Sequence, residues 1–355
     1  MTVSGDLAVA STFSGVGGID LGFHAAGIPT RLLCEYDKHA ASVLARRFPG
    51  VPIHPDVTEL TADDLAAAGL VPERTILAGG FPCQDLSIAG ARRGMGEGTR
   101  SGLYWHLDRL MAEFRPAWVV FENVPGLLSS NGGRDMGAVL GSLADRGYGF
   151  AYRVLDAQYF GVPQRRSRVV IVGRLGDSGA APAQVLLEPE GGGWDSPAGD
   201  KARAGAARNF ARGPRRAGRE VVSTLQASGG DRVDAEAAAG GHLIPATFQK
   251  VIRSGERDAE GNLPPEVWAQ RDVAATLNLH DLGSCTRAVD VVVRPTTVRR
   301  LTPLECERLQ GFPDAWTEGQ ADSHRYKQMG NGVAVPVFEW VAHRLAAVHR
   351  AGDRS

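Results

Sequence analysis

Short apolar runs recur through the first half of the chain, each closed by glycine or by an acid. Ala8-Val9-Ala10-Ser11-Thr12 is the first, and Thr30 to Cys34, Ile53 to Val57, Thr75 to Ala78 and Trp118 to Phe121 follow. Tyr148 to Leu155 and Arg168 to Gly173 are two more. Brief runs of this kind, bounded by turn residues, predict strands. Between them, amphipathic spacing predicts helices over Ile19 to Ala26, closed by Gly27 as a C-cap, over Lys38 to Phe48 and over Ser101 to Phe114. Strand alternating with helix predicts a doubly wound α/β domain.

The pattern breaks from about residue 175 to 289, where Gly, Ala, Arg and Asp dominate with weak periodicity. This composition shift predicts a second, smaller domain with long loops. Order returns at Leu301-Thr302-Pro303-Leu304-Glu305, where Thr302 is a good N-cap, Pro303 a good first helical residue and Glu305 completes a capping box. That helix is expected to run to Gln310. Gln328 to Val337 reads as a turn leading into a last amphipathic helix ending near His349.

Composition narrows the class. At 355 residues the chain can bury a large core in one or two domains, and 43% hydrophobic with 22% charged residues is ordinary for a globular protein. No apolar run approaches the ~20 residues of a membrane helix, and the start lacks a signal-peptide pattern. A cytoplasmic place without membrane contact is expected. The four cysteines (Cys34, Cys83, Cys285 and Cys306) show no Cys-x-x-Cys spacing, so neither a metal site nor a disulfide framework is expected. The net charge of −1 hides a local feature: seven Lys and Arg residues fall between Lys201 and Arg219. That stretch reads either as a linker or as a phosphate-contacting arm.

Candidate chemistry gathers where strands end, the edge at which an open parallel sheet binds ligands. The loop Gly79-Gly80-Phe81-Pro82-Cys83-Gln84-Asp85-Leu86-Ser87 follows the fourth run and holds a thiol, whose thiolate is a nucleophile. Taken alone, a free cysteine is more often a small buried hydrophobe. Phe13-Ser14-Gly15-Val16-Gly17-Gly18 lies between strand and helix, a geometry that lets backbone approach a nucleotide-like ligand. Glu35, ~20 residues later, is placed for ribose hydroxyls, and Asp56 for an adenine edge; each acid also suits a helix N-cap. Glu122-Asn123-Val124-Pro125 presents a carboxylate able to act as an acid. In Gln164-Arg165-Arg166-Ser167-Arg168, alternation puts Arg166 and Arg168 on one face, where they suit phosphate or carbonyl recognition. The basic, glycine-rich stretch 91–100 suits a mobile lid.

These stretches, in this order, resemble the C5-cytosine DNA methyltransferase family of bacterial or phage, restriction-modification type. Phe13 to Gly18 is similar to its first motif, Phe81-Pro82-Cys83-Gln84 to its nucleophile motif, Glu122-Asn123-Val124 to its acid motif and Gln164 to Arg168 to its arginine motif. Arg300 to Pro313 is similar to its ninth motif, and Gly330-Asn331 with Val333 and Val335 to its tenth. Gly332 stands where the family usually has Ser.

The resemblance implies a Rossmann-like domain dependent on S-adenosyl-L-methionine, with no metal and with double-stranded DNA as partner. It implies Cys83 as nucleophile toward C6 of a flipped-out cytosine, Glu122 as the acid at N3, Asn123 ordering the loop, Arg168 holding the base or phosphate and Arg166 supporting the site. It implies a cofactor pocket of Phe13, Ser14, Gly15, Gly17, Gly18, Ile19, Glu35, Tyr36, Asp56, Val57, Gly79, Pro82 and Leu103, with Asn331 and Val333 from the tail. DNA contacts are expected at Gln84, Ser87, Arg92, Arg93 and Arg100. A further DNA contact is expected at Thr224 or Thr276, because the family's recognition Thr-Leu pair matches either Thr224-Leu225 or Thr276-Leu277. The catalytic domain is expected at 1–178 and 322–355, with a target-recognition domain and hinge inserted at 179–321. A monomer is expected; a cognate restriction endonuclease is compatible with the family but not physically required. The rival readings are the same chemistry on RNA, an inactive DNA- or cofactor-binding homologue, and a nicotinamide oxidoreductase. The last gives no role to Cys83 and Glu122.

Overall fold

The computed structural model describes residues 7–82, 102–188, 247–251, 267–271, 291–294 and 297–352. The chain divides into two compact units, one of residues 1–156, 167–193 and 335–355, the other of residues 157–166 and 194–334. These bounds differ from the expected 178/179 and 321/322. A physical reason is visible at Arg166, whose guanidinium donates to the carbonyls of Gly330 and Gly332 and so ties 157–166 to the segment before 335.

The first unit is built on a seven-stranded sheet of β1 (Ala8–Thr12), β2 (Thr30–Cys34), β3 (Ile53–His54), β4 (Thr75–Gly80), β5 (Trp118–Asn123), β6 (Tyr148–Asp156) and β7 (Ser167–Leu175). The order is β3-β2-β1-β4-β5-β7-β6. β1 to β5 run parallel, and β7 enters antiparallel to β5 and to β6. The doubly wound expectation is met, with one reversed strand, β7, between β5 and the edge strand β6. β4 and β5 are apolar along most of their length because both faces of this part of the sheet are covered.

The helices of this unit are α1 (Gly18–Ala25), α2 (Lys38–Arg47), α3 (Ala62–Ala67), α4 (Leu103–Phe114), α5 (Arg134–Asp145), α6 (Ala180–Leu186) and, after the second unit, α9 (Val335–Gly352). Gly27 takes φ +80° just beyond α1, as a C-terminal glycine should. On one side, Leu107, Leu110, Met111 and Phe114 of α4 join Val139 and Leu143 of α5 in the core with Leu77, Val119, Phe121 and Ile171. Elsewhere α9 lies against α1. Gly22 makes this possible, since a Cβ there would stand 2.7 Å from the Glu339 nitrogen and 2.8 Å from the Phe338 Cβ. Arg344 of α9 donates to the carbonyls of Gln184, Val185 and Leu187, which the end of α6 leaves open.

The second unit holds an antiparallel sheet of β8 (Thr247–Val251), β9 (Val267–Arg271), β10 (Val291–Arg294) and β11 (Thr297–Arg300), in the order β11-β10-β8-β9. α7 (Pro303–Leu309) and α8 (Asp322–Asn331) follow. The expected capping box is present: Glu305 N donates to Thr302 Oγ1 (3.3 Å), and Thr302 N to Glu305 Oε2 (2.8 Å). Gln328 to Asn331, expected as a turn, is the last part of α8.

Candidate active site

Three loops leave neighbouring strands at one edge of the first sheet. Thr12 at the end of β1 is paired with Gly79 of β4, and Gly80 with Glu122 of β5. The chain order reverses between β1 and β4, the crevice at which doubly wound sheets take ligands. Both β4 glycines answer close approaches. A Cβ on Gly79 would stand 2.3 Å from Thr12 Oγ1, and one on Gly80 would stand 2.7 Å from Glu122 Oε2.

The loop after β1 turns through left-handed backbone at Phe13 (φ 50°), Gly15 (φ 57°) and Gly17 (φ 84°). Ser14 N donates to Cys34 O, and Gly15 N to Glu35 Oε2 at 2.7 Å. Asp37 N donates to Glu35 Oε1, also at 2.7 Å. Burial raises the Glu35 pKa, opposed by these backbone amides. Tyr36 is 81% exposed beside it, and no atom lies within 4 Å of where a Gly15 Cβ would be. Asp56 Oδ1 accepts from Thr58 N at 2.8 Å; Val57 and Ile19 are buried, and Leu103 is half-buried at the start of α4.

The acid motif lies within β5 rather than after it, since the strand runs on to Asn123. Glu122 Oε1 meets Arg168 Nε of β7 at 2.7 Å, with both side chains largely buried. Asn123 Nδ2 donates to Phe81 O at 2.9 Å, and its Oδ1 accepts from Val124 N at 2.9 Å. The Phe81 ring lies 4.9 Å from that of Tyr104 and 6.2 Å from that of Phe121. The chain entering Pro82 is thus fixed through both its backbone and a side chain. Cys83, Gln84, Ser87, Arg92, Arg93, Arg100, Thr224 and Thr276 lie outside the described residues. Of the described cysteines, Cys306 is fully buried, and burial pushes the Cys34 thiol up to about 12, far from a reactive thiolate.

Arg166 and Arg168 were expected on one face of one strand. β7 begins only at Ser167, so Arg166 precedes it. Arg166 is 1% exposed and belongs to the second unit, held by the Gly330 and Gly332 carbonyls, whereas Arg168 belongs to the first. Asn331 ends α8 and is exposed, and Val333 is buried. At Gly332 a Cβ would stand 3.0 Å from Gln328 O, so the family's Ser would be tight here. The sequence reading missed Asp20, a fully buried acid in the first turn of α1. Its signal was an acid next to Ile19 at the start of a helix with no side-chain cap. Among the described residues no cluster of His, Cys, Asp or Glu could hold a metal, and no helix is long and apolar enough to cross a membrane.

A doubly wound sheet with a glycine loop after its first strand and an acid after its second is the frame of a methyltransferase with a nucleotide-like donor. The family of C-5 cytosine-specific DNA methylases matches residues 7–191 and 214–347, and the chain belongs to it. It is 31% identical over 357 residues to the Type II methyltransferase M2.BsuMI of Bacillus subtilis (strain 168), covering 95% of this chain and 75% of that protein. It is 27% identical over 335 residues to the Type II methyltransferase M.HhaI of Haemophilus parahaemolyticus, covering 94% of this chain and 93% of that one. Among solved structures, the S. pombe Dnmt2 methyltransferase aligns with a TM-score of 0.62 at 16% identity, covering 96% of this chain and 98% of that chain. That likeness bears on the fold alone.

Proposed function

We propose that this enzyme transfers a methyl group from S-adenosyl-L-methionine to C5 of a flipped-out cytosine in a short, specific sequence of double-stranded DNA, through a covalent bond between Cys83 and C6. The observation that carries the reading is the pairing of β4 with β5. It sets the acid-bearing strand in register with the strand that leads to Cys83, and Asn123 joins the two through Phe81 O. The Type II methyltransferases among its relatives support DNA as the substrate.

The residues around the β1 loop suit the proposed cofactor. An open backbone at Gly15, a carboxylate held by amides at Glu35 and an exposed ring at Tyr36 match an adenosine's approach, hydroxyls and flat face. When bound, S-adenosyl-L-methionine supplies an electrophilic methyl group. From the resemblance, Phe13, Ser14, Gly17, Gly18, Ile19, Asp56, Val57, Gly79, Pro82 and Leu103 complete the part of the pocket that the first unit supplies.

Cytosine C5 is too weak a nucleophile to take a methyl group unaided. The Cys83 thiolate adds to C6, forming the C–S bond, and a proton from Glu122 at N3 accepts the charge pushed into the ring. Glu122 Oε1 is engaged by Arg168, which orients the carboxyl while it works. C5, now an enamine carbon, is the nucleophile that would accept the methyl group, whose bond to sulfur would break with its electron pair left on sulfur, so that S-adenosyl-L-homocysteine would leave. A base then removes the C5 proton, and the electrons of that bond expel Cys83 as thiolate, restoring the aromatic ring. We assign catalysis to 1–178 and 322–355, and sequence reading to 179–321, which contains the β8–β11 sheet.

Base-resolution bisulfite sequencing tests this, using DNA from a methylation-free host that expresses the chain or its Cys83→Ala variant. Conversion-resistant cytosines in one short context, lost in the variant, are expected. Fully converted DNA alongside soluble, donor-binding wild-type protein would remove the DNA reading and leave RNA or an inactive binder. Duplex DNA with 5-fluorocytosine at the target should trap the protein covalently, because no proton can leave C5.

A further inference from the structure

The site above gives Asp20 no role, yet its setting is unusual for an acid. It stands in the first turn of α1 with no exposed surface, between buried Ile19 and Phe23. Its Oδ2 accepts from Ser11 Oγ of β1 at 3.0 Å, and its Oδ1 from Thr30 Oγ1 of β2 at 2.8 Å. Ser11 Oγ is 3.0 Å from Ser14 Oγ. Ser14 Oγ in turn accepts from Cys34 N and lies 3.2 Å from Cys34 O. The run therefore reaches from the buried carboxylate to the β1 loop and to the residue before Glu35.

An ionised carboxylate only accepts, so Ser11 and Thr30 must donate to it. Ser11 Oγ then has only lone pairs to offer Ser14. Ser14 accepts from Cys34 N and can pass its own proton to Ser11. The directions of the Ser11 and Thr30 hydroxyls follow from the charge on Asp20, and Ser14 Oγ has Ser11 O and Cys34 O, each at 3.2 Å, as further acceptors. Burial pushes this carboxyl up to about 6, so at neutral pH it is ionised in a place where ionisation opposes folding.

We infer that Asp20 is a positioning residue for the methyl-donor pocket: acting through Ser11 and Ser14, it fixes the loop Phe13 to Gly18 against the β2 end that carries Glu35. The inference rests on the reading that this loop holds S-adenosyl-L-methionine. A preorganised loop binds its ligand without an ordering cost at the moment of binding.

The test is Asp20→Asn, which keeps an acceptor for Thr30 and turns an amide N–H toward Ser11, reversing the run. Donor affinity is measured by calorimetry, KM and kcat with saturating DNA, and stability by thermal melting. The expected result is a Kd and KM for S-adenosyl-L-methionine raised about tenfold, as for one buried hydrogen bond lost. kcat at saturating donor should stay within about twofold, with a melting temperature no lower than wild type. Unchanged affinity, or an affinity loss that only follows a lower melting temperature, overturns the inference. Should Asp20→Asn fail to fold, Ser11→Ala, which cuts the run and leaves Thr30 on the acid, is judged by the same criteria. A wild-type chain that binds no donor brings down the pocket reading itself; normal wild-type binding with unaffected variants brings down only the role of Asp20.

Discussion

Gly80 shows how little room the acid has. A methyl group there would stand 2.7 Å from Glu122 Oε2, the reacting end of the acid itself. Gly80→Ala is expected to push the carboxyl aside by up to an ångström and to lower kcat about 100-fold with the fold intact; incorporation of labelled methyl into DNA measures the first and circular dichroism the second. The Arg168–Glu122 pair has side chains only 14% and 11% exposed. Arg168→Ala removes a charged partner from the largely buried Glu122 carboxyl and should cost about 2 kcal/mol of stability in urea unfolding. Residue by residue, the sequence reading found the acid, its asparagine and the arginines by their motif. It did not find the partners: that Arg168 meets Glu122 across a strand pair, or that Arg166 serves backbone carbonyls, follows from β7 starting at Ser167.

Among the elements, those that declare themselves locally were legible. β2 was read with its observed bounds, because the apolar Leu32-Leu33-Cys34 ends at a charged turn. The α7 capping box was read with its residues, Thr302 and Glu305. α8 was not anticipated, and its last residues were read as a turn because Gly330-Asn331-Gly332 looks like one. Its helical course there is supported from outside, by Gln310 Nε2 on Met329 O (2.8 Å) and Arg166 on Gly330 O (3.0 Å). β3 came out shorter than expected because it gives way at Pro55, which has no N–H for a ladder. At the α1–α9 crossing, Gly22→Ala would gain about 1 kcal/mol in helix propensity and lose about 1–3 by overpacking. The net expectation is a lower urea midpoint with the slope unchanged, since the obstructing atoms are the Glu339 backbone nitrogen and the Phe338 Cβ rather than a yielding side-chain tip.

For the whole molecule, stability carries an acid-side signature. Asp20 is raised from 3.8 to about 6, and Glu35 is raised as well, both by burial. Groups displaced upward add stability that is complete below their unfolded values and is lost as pH climbs through the folded ones. From pH 4 to 7 the Asp20 contribution should fall by about 2 kcal/mol. Asp20→Asn should therefore be less sensitive to pH over that interval than wild type, which denaturant titrations at several pH values would reveal. At this scale the doubly wound frame was legible from the strand–helix rhythm. The return of the tail to the first unit followed only from resemblance, because contacts between distant segments leave no periodic trace. That return has a consequence for how the protein is made. α1 leaves the ribosome long before α9, and α9 brings the surface that covers Gly22. Until then a nascent chain carries an unfinished first unit, with its apolar flank open to chaperones and to aggregation. Chains that stop short of Val335 are therefore expected to lack methylating activity, which should appear in a translation time course only once residues past Val335 have emerged.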